Sequence, residues 1–363
     1  MMERRGELRG ADVVRHYGDP PGEWTAATES VAMRDRSHRV RLLLHGRAPA
    51  SMLKGVVTGR MPDVLEALEP GVWQGRAEYS VVLTPKGRTL SDLRLMRRDA
   101  SDDAEGPLVA DVPRAGSDAL RAHWARFLPP RMCAVEDVSA ETGHLTVMGP
   151  DAAAVLARAV LGLRVDTERL EAMAEDDALQ VDIGGAWPLT VVRSCEVSVS
   201  AWDLISDRES ISVLIGTLEG ASARIVGSGV WEALRLEAGR PAFGADLTED
   251  HIPVEAGVHT RAIDYQKGCY TGQEVIVRIR DRGHVNRHLR RLVLGDAPVP
   301  PEGTPLFAAG SERSVGEITS AATSPRRGTL ALGYVRREVE VPGPLHLGAP
   351  DGPEIRVEPL PDA

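Results

Sequence analysis

The stretch "LRLEAGRPAFGADLTEDHIPVEAGVHTRAIDYQKGCYTGQE", residues 234–274, decides how this chain is read. Its last ten residues gather side chains that are scarce elsewhere. The whole chain has five Tyr and three Cys, and this window holds Tyr265, Gln266, Lys267, Cys269, Tyr270 and Gln273. Gly268 and Gly272 flank a Cys-Tyr-Thr core. Glycine allows close backbone approach or positive φ, so the segment reads as a tight, exposed turn that presents its side chains. A thiol at Cys269 is accessible on such a turn. Lys267 favours its thiolate where the two side chains converge, although neighbours in extended backbone point to opposite faces. From the window alone, a Gly-rich turn whose Cys and Tyr simply pack is an equal reading.

The 363 residues exceed the roughly 250–300 at which single cores stop growing, so more than one domain is expected. Apolar content of 42% with 26% charged residues is that of a globular chain. The formal net charge of −10 argues against a surface built to neutralise phosphates, and no nucleic-acid partner is expected. Cys133, Cys195 and Cys269 are far apart, which indicates neither a disulfide framework nor a structural zinc site. A reducing, cytoplasmic location and a monomer are expected. The opening residues lack an apolar signal core and "DAAAVLARAVLGL" (151–163) is too short to span a bilayer, so no membrane partner is expected. His284 and His288 in "HVNRH" have metal-pair spacing without an accompanying Glu, and no metal is assigned. The Arg run 278–291 reads as a solvated sheet face rather than an RNA surface.

Along the chain, "RVRLLLH" (39–45) and "AEYSVVLTPKGRTLSDLRLMR" (77–97) read as strands, the second a hairpin turning at Pro85-Lys86-Gly87. Apolar residues at helical spacing mark "SDALRAHWARFL" (117–128) and "DAAAVLARAVLGL" as helices. "WPLTVVRS" (187–194) is a further strand. "GSGVWEALRLEAGRP" predicts a helix capped by Ser228 and stopped by Gly239 and Pro241. From Val275 onward short strands take over, "VIVRIR" first, and a closed β domain is expected from about residue 286.

The 234–274 stretch resembles the YgfZ-type folate-binding proteins, relatives of the glycine-cleavage aminomethyltransferase, and "KGCYTGQE" matches that family's signature. "AMRDRSHRVRLLLHG", "GRAEYSVVLTPKGRTLSDLRLM", "VGEITSAATSP" and "LALGYVRRE" are similar to other parts of the family. The resemblance implies an α+β fold, with two interleaved α+β subdomains over 1–285 and a small C-terminal β-barrel over 286–363, around a central folate channel. Tetrahydrofolate is the implied ligand, held in an apolar slot with a few polar anchors and a cation for its tail. Arg235 matches the family arginine near that tail. Tyr79, Glu237, Tyr270, Gly272, Gln273 and Glu274 join it as implied folate-binding residues, and Cys269, Lys267 and Asp92 as the chemical ones.

Two departures from the aminomethyltransferases bear on activity. "RSCEVSVSAWDL" (193–204) aligns with their Thr-Gly-Glu element and puts Val199 where the pterin-anchoring Glu stands. Their Asp-Asp pair reads Ser91-Asp92 here, and the sequence leaves open which position carries the carboxylate's role. With the gain of Cys269, these departures imply a folate-binding accessory protein supporting iron–sulfur enzymes, with iron–sulfur client or assembly proteins as partners. The alternative is a folate-dependent aminomethyltransferase or demethylase.

Overall fold

The structure, a computed structural model, describes residues 4–162 and 164–361. Two sheets pack face to face. The smaller has five antiparallel strands in the order Ala134–Asp137, Val40–His45, Leu108–Val112, Thr89–Arg97, Glu78–Leu83. The larger has eight strands running from Arg224–Ile225 through Ala32–Asp35, Thr142–Met148, Ala201–Asp207, Leu189–Ser194, Asp177–Val181 and Val72–Arg76 to Glu66–Glu69.

Each sheet covers its outer face with helices. Helix Arg114–Phe127 lies on the five-stranded sheet because Leu120 and Trp124 recur at i, i+4, with Leu128 one step beyond. All three join the core with Leu93 and Leu95. Burial of each such side chain is worth about 1.5–3 kcal/mol. On the larger sheet, Leu214 and Leu218 of helix Arg208–Gly220 pack against Leu145, Val147 and Leu204. The stretch expected to be one helix over 151–163 is an α-helical turn, Ala152–Val155, followed by a π-helical turn, Leu156–Val160.

The period of two along Thr89–Arg97 sets what lies between the sheets. Leu93 and Leu95 point outward, while Met96 meets Ala178, Val192 and Ile205 of the other sheet. The inner layer is apolar there and ionic nearer the chain's central cavity. Arg94 donates to Asp203 at 2.8 Å, and His144 stands between Asp111 at 3.4 Å and Asp203 at 3.2 Å.

The C-terminal strands close a barrel in the order Arg287–Gly295, Gly328–Arg336, Ser314–Ser324, Pro305–Phe307, Gly343–Leu347, Glu354–Glu358. Its Leu289, Leu330, Leu332 and Tyr334 share a core with Tyr79, Val81 and Leu83 of the hairpin and with Leu236 and Phe243.

Two local expectations are corrected. "VIVRIR" is not a strand but part of helix Gln273–Arg282. Ile276 is its buried side chain and the arginines face out, so the alternation seen in six residues was one side of a helix. Helix Ser228–Glu237 forms as expected and Gly239 follows at φ +66°, but Gly227 rather than Ser228 is its N-cap. A Cβ at Gly227 would lie 2.2 Å from the Arg15 carbonyl oxygen, which is why glycine stands there. No helix among the described residues is long and apolar enough to cross a membrane.

Candidate functional site

A cavity lies where the ionic end of the inter-sheet layer meets helix Ser228–Glu237 and the segment after it. Strand Thr89–Arg97 delivers Asp92 to this cavity, while Ser91, one residue away, points to the opposite face and donates its hydroxyl to the Asp92 carbonyl at 2.8 Å. Alternation on the strand therefore makes Asp92 the cavity member of the pair.

Asp92 Oδ2 accepts a hydrogen bond from the Tyr79 hydroxyl at 2.8 Å. Its Oδ1 is buried and has no partner among the described residues. Burial raises the Asp92 pKa, against the pull of Arg39 and the Tyr79 hydrogen bond. Tyr79 is pushed well above its ordinary range by burial and by Asp92, so it stays a phenol and a donor. The Arg261 guanidinium sits 3.9 Å from the Tyr79 ring centre and pairs with Glu175 at 3.3 Å. The carboxyl is thus fixed by its neighbours at one oxygen and open at the other.

The rest of the lining mixes apolar side chains with arginines, more charge than the few polar anchors expected. Trp231 and Phe243 supply the larger apolar surfaces, and Arg34, Arg36, Arg94 and Arg261 stand among them. Most of these charges are matched. Arg36 donates to Glu196 at 2.8 Å and Asp203 at 3.2 Å while lying 4.3 Å from the Trp231 ring centre. Glu196, though opposed by burial, is held down at about 2 by Arg36 and Arg94. His38 is kept neutral, its pKa pushed down to about 2 by burial and by Arg34, Arg36 and Arg39.

Arg235 lines the cavity, but its fork is already filled. Its Nη1 donates to Asp246 Oδ2 and to the Arg240 carbonyl, both at 2.7 Å, and its Nη2 donates to Glu232 at 2.8 Å. A bidentate grip on a ligand carboxylate would first have to break these bonds. Glu237 lies outside the lining. It accepts from Ser198 at 2.6 Å and from Arg326 at 2.9 Å, tying the helix to the loop before Ala201 and to a barrel turn. Val199 packs beside the cluster containing Ala27, Met148 and Trp231, and Glu196, three residues earlier, is the carboxylate of that loop which reaches the cavity.

The signature turn forms a separate group. Cys269 is exposed, whereas Cys133 is buried with its pKa pushed up to about 11 by burial and Glu105. Lys267 does not serve the thiol: its Nζ donates to the carbonyls of Val57 at 2.9 Å and Gly59 at 2.7 Å, and burial lowers its pKa to about 8. Tyr270 is buried and Glu274 exposed; neither they, Gly272 nor Gln273 lie in the cavity wall. Gly272, at φ +81°, fits against the hairpin turn, where a Cβ would stand 2.6 Å from the Thr84 carbonyl oxygen. Arg261 links the two regions, since it lines both the central cavity and a shallower pocket beside Tyr265 and Gln266.

Arg34, Arg36, Glu196, Trp231 and Arg261 are site residues that the sequence reading did not pick out. One signal was available. In "AMRDR" two arginines, Arg34 on strand Ala32–Asp35 and Arg36 just past its end, follow the apolar Val31, Ala32 and Met33, all of them buried.

Residues 20–267 match the GCVT N-terminal domain family. The aminomethyltransferase of Thermosynechococcus vestitus is 29% identical over 317 residues, 86% of this chain and 79% of the relative. That of Rippkaea orientalis is 25% identical over 341 residues, 92% and 86% of the two chains. The glycine cleavage system aminomethyltransferase T of Bartonella henselae superposes with a TM-score of 0.78 at 22% identity, covering 98% of this chain and 92% of that one, a likeness of fold. These relatives overturn the expected iron–sulfur accessory role. Those named are aminomethyltransferases matched over most of their length, so the expectation drawn from Cys269 and Val199 is corrected toward its alternative.

Proposed function

This chain belongs to the GCVT N-terminal domain family, and from that premise we propose that it is a tetrahydrofolate-dependent one-carbon transferase of the aminomethyltransferase type. The observation that carries the reading is Asp92: a buried carboxyl with one oxygen pinned by Tyr79 and the other without a partner among the described residues, facing the central cavity. A buried acceptor left open in this way is satisfied by an N–H brought by a ligand.

The residues present fit tetrahydrofolate. Trp231 and Phe243 offer ring surfaces, Asp92 an acceptor, and the arginine-rich wall a field suited to its carboxylates. When bound, tetrahydrofolate supplies the nitrogen that accepts the one-carbon unit. Asp92 accepts the N–H of the reacting amine at Oδ1, and its raised pKa lets it hold a proton nearer neutrality than an exposed Asp would. Tyr79 keeps the carboxyl from rotating. Val199 leaves the pterin to be oriented differently from a Glu-anchored pose, with Glu196 already committed to Arg36.

We assign the folate module to residues 1–285 and the barrel to 286–363. The "KGCYTGQE" signature supports placing the chain in the YgfZ-type branch, where the turn at Gly272 positions the hairpin carrying Tyr79 and Asp92 rather than touching the ligand. The test is Asp92→Asn, which keeps the shape and removes the proton-holding charge. Transfer of a one-carbon unit to tetrahydrofolate from an amine donor, free or borne on a carrier protein, should fall by about 10²- to 10⁴-fold, with tetrahydrofolate still bound. Undiminished transfer by this variant would remove Asp92 from the chemistry.

A further inference from the structure

Arg34 is 4% exposed and lines the central cavity. Its guanidinium rests 4.8 Å from the Trp231 ring centre and takes part in no hydrogen bond or ion pair among the described residues. The other buried arginines of this wall have their acids: Arg36 has Glu196 and Asp203, Arg94 has Asp176 and Asp203, Arg235 has Glu232 and Asp246. Burial and the nearby Arg36 push the Arg34 pKa down to about 9, which leaves it charged at neutral pH. A buried, unpaired cation is costly to folding and is retained where a ligand supplies the missing anion.

Asp92 Oδ1, buried and without a donor, lines the same cavity. The cavity therefore holds, on strands of the two facing sheets, a cation lacking an anion and a carboxylate oxygen lacking a donor. We propose that the amine substrate of this site is a small zwitterion, with its carboxylate on Arg34 and its amine on Asp92. The inference rests on the transferase reading and deepens it. An amine borne by a carrier protein through an uncharged linkage would leave Arg34 unanswered. The folate tail is the other source of a carboxylate, and the test separates the two.

Calorimetric titrations of the full chain and its Arg34→Met variant would use N-methylglycine, its two fragments acetate and methylamine, tetrahydrofolate, and tetrahydropteroate, which lacks the glutamate. N-methylglycine should bind the unaltered chain more tightly than either fragment, and Arg34→Met should weaken it about 10- to 100-fold, the loss of a hydrogen bond to a charged group, while leaving methylamine unaffected. Should that variant fold poorly, Asp92→Asn tests the other contact: it should weaken N-methylglycine but not acetate. Acetate binding as tightly as N-methylglycine would overturn the proposal. So would an Arg34→Met effect on tetrahydrofolate that is missing with tetrahydropteroate, which would give Arg34 to the folate tail. An unaltered chain that takes tetrahydrofolate but no zwitterion sinks this inference alone, whereas one that takes neither sinks the transferase reading as well.

Discussion

Replacing Arg235 by Ala should act on folding before it acts on ligand affinity. The guanidinium is buried between Glu232 and Asp246, and also donates to the Arg240 carbonyl. Removing one member of a buried ion pair costs about 3–5 kcal/mol, because the charge left behind stays out of water. The surroundings soften that loss. Asp246 still accepts from Thr319 at 2.5 Å, Ser320 at 2.6 Å and the Ala242 amide at 3.0 Å, and Glu232 keeps Arg9 at 3.1 Å. The lower end, about 3 kcal/mol, is therefore expected. With an unfolding entropy of about 2.1 cal/mol/K per residue over 363 residues, a chain melting as one unit loses about 4 °C in Tm. Scanning calorimetry measures the shift, and tetrahydrofolate titration of the folded variant measures affinity separately. An unchanged Tm with a weakened folate affinity would refute this reasoning and restore Arg235 as a ligand contact.

Gly272→Ala should cost about 1–3 kcal/mol, since the new Cβ meets the Thr84 carbonyl oxygen at φ +81°; a lower urea midpoint at unchanged slope would show it, and an unchanged midpoint would speak against a structural role for the turn. His38 titrates near 6.5 when unfolded and at about 2 in the fold, owing to burial and its arginine neighbours. Below pH 6.5 the unfolded chain binds the extra proton, so the stability that neutral His38 contributes is complete above that pH and is lost as pH falls. His38→Gln should flatten urea stability between pH 6.5 and 5 by up to one proton's worth of slope, and an identical slope in the two proteins would contradict the assignment.

The hairpin at Pro85-Lys86-Gly87 and the barrel strands were legible because their signals are local: period-two runs broken by Gly and Pro. "VIVRIR" was misread because six residues with alternating apolar and Arg positions fit a strand as well as a helix whose buried side chain is Ile276. The site was legible only where one residue carries it. Asp92 stood out as a carboxylate beside a hairpin, but the choice between positions 91 and 92 needed the register with Tyr79 and Val81. The paired arginines were not readable, because Arg36 meets Glu196 and Asp203 across 160 and 167 residues, and Arg94 meets Asp203 across 109. The ion pairs that occupy Arg235 were hidden for the same reason. Its Glu232 partner at i−3 was visible on the helix, yet nothing local said that Asp246 would close the other side.

The hydroxyls of Thr319 and Ser320 on the barrel reach Asp246, and Tyr334 donates to its carbonyl at 2.8 Å. Asp246 in turn holds Arg235 in the cavity wall. A gene cut after residue 285 would therefore not encode a smaller intact protein. It would strip Leu289, Leu330, Leu332 and Tyr334 from the hairpin's core and leave Asp246 without the alcohols that balance its charge. The two regions have to be inherited, expressed and engineered together, and swapping the barrel between relatives should succeed only when the partners of Asp246 travel with it.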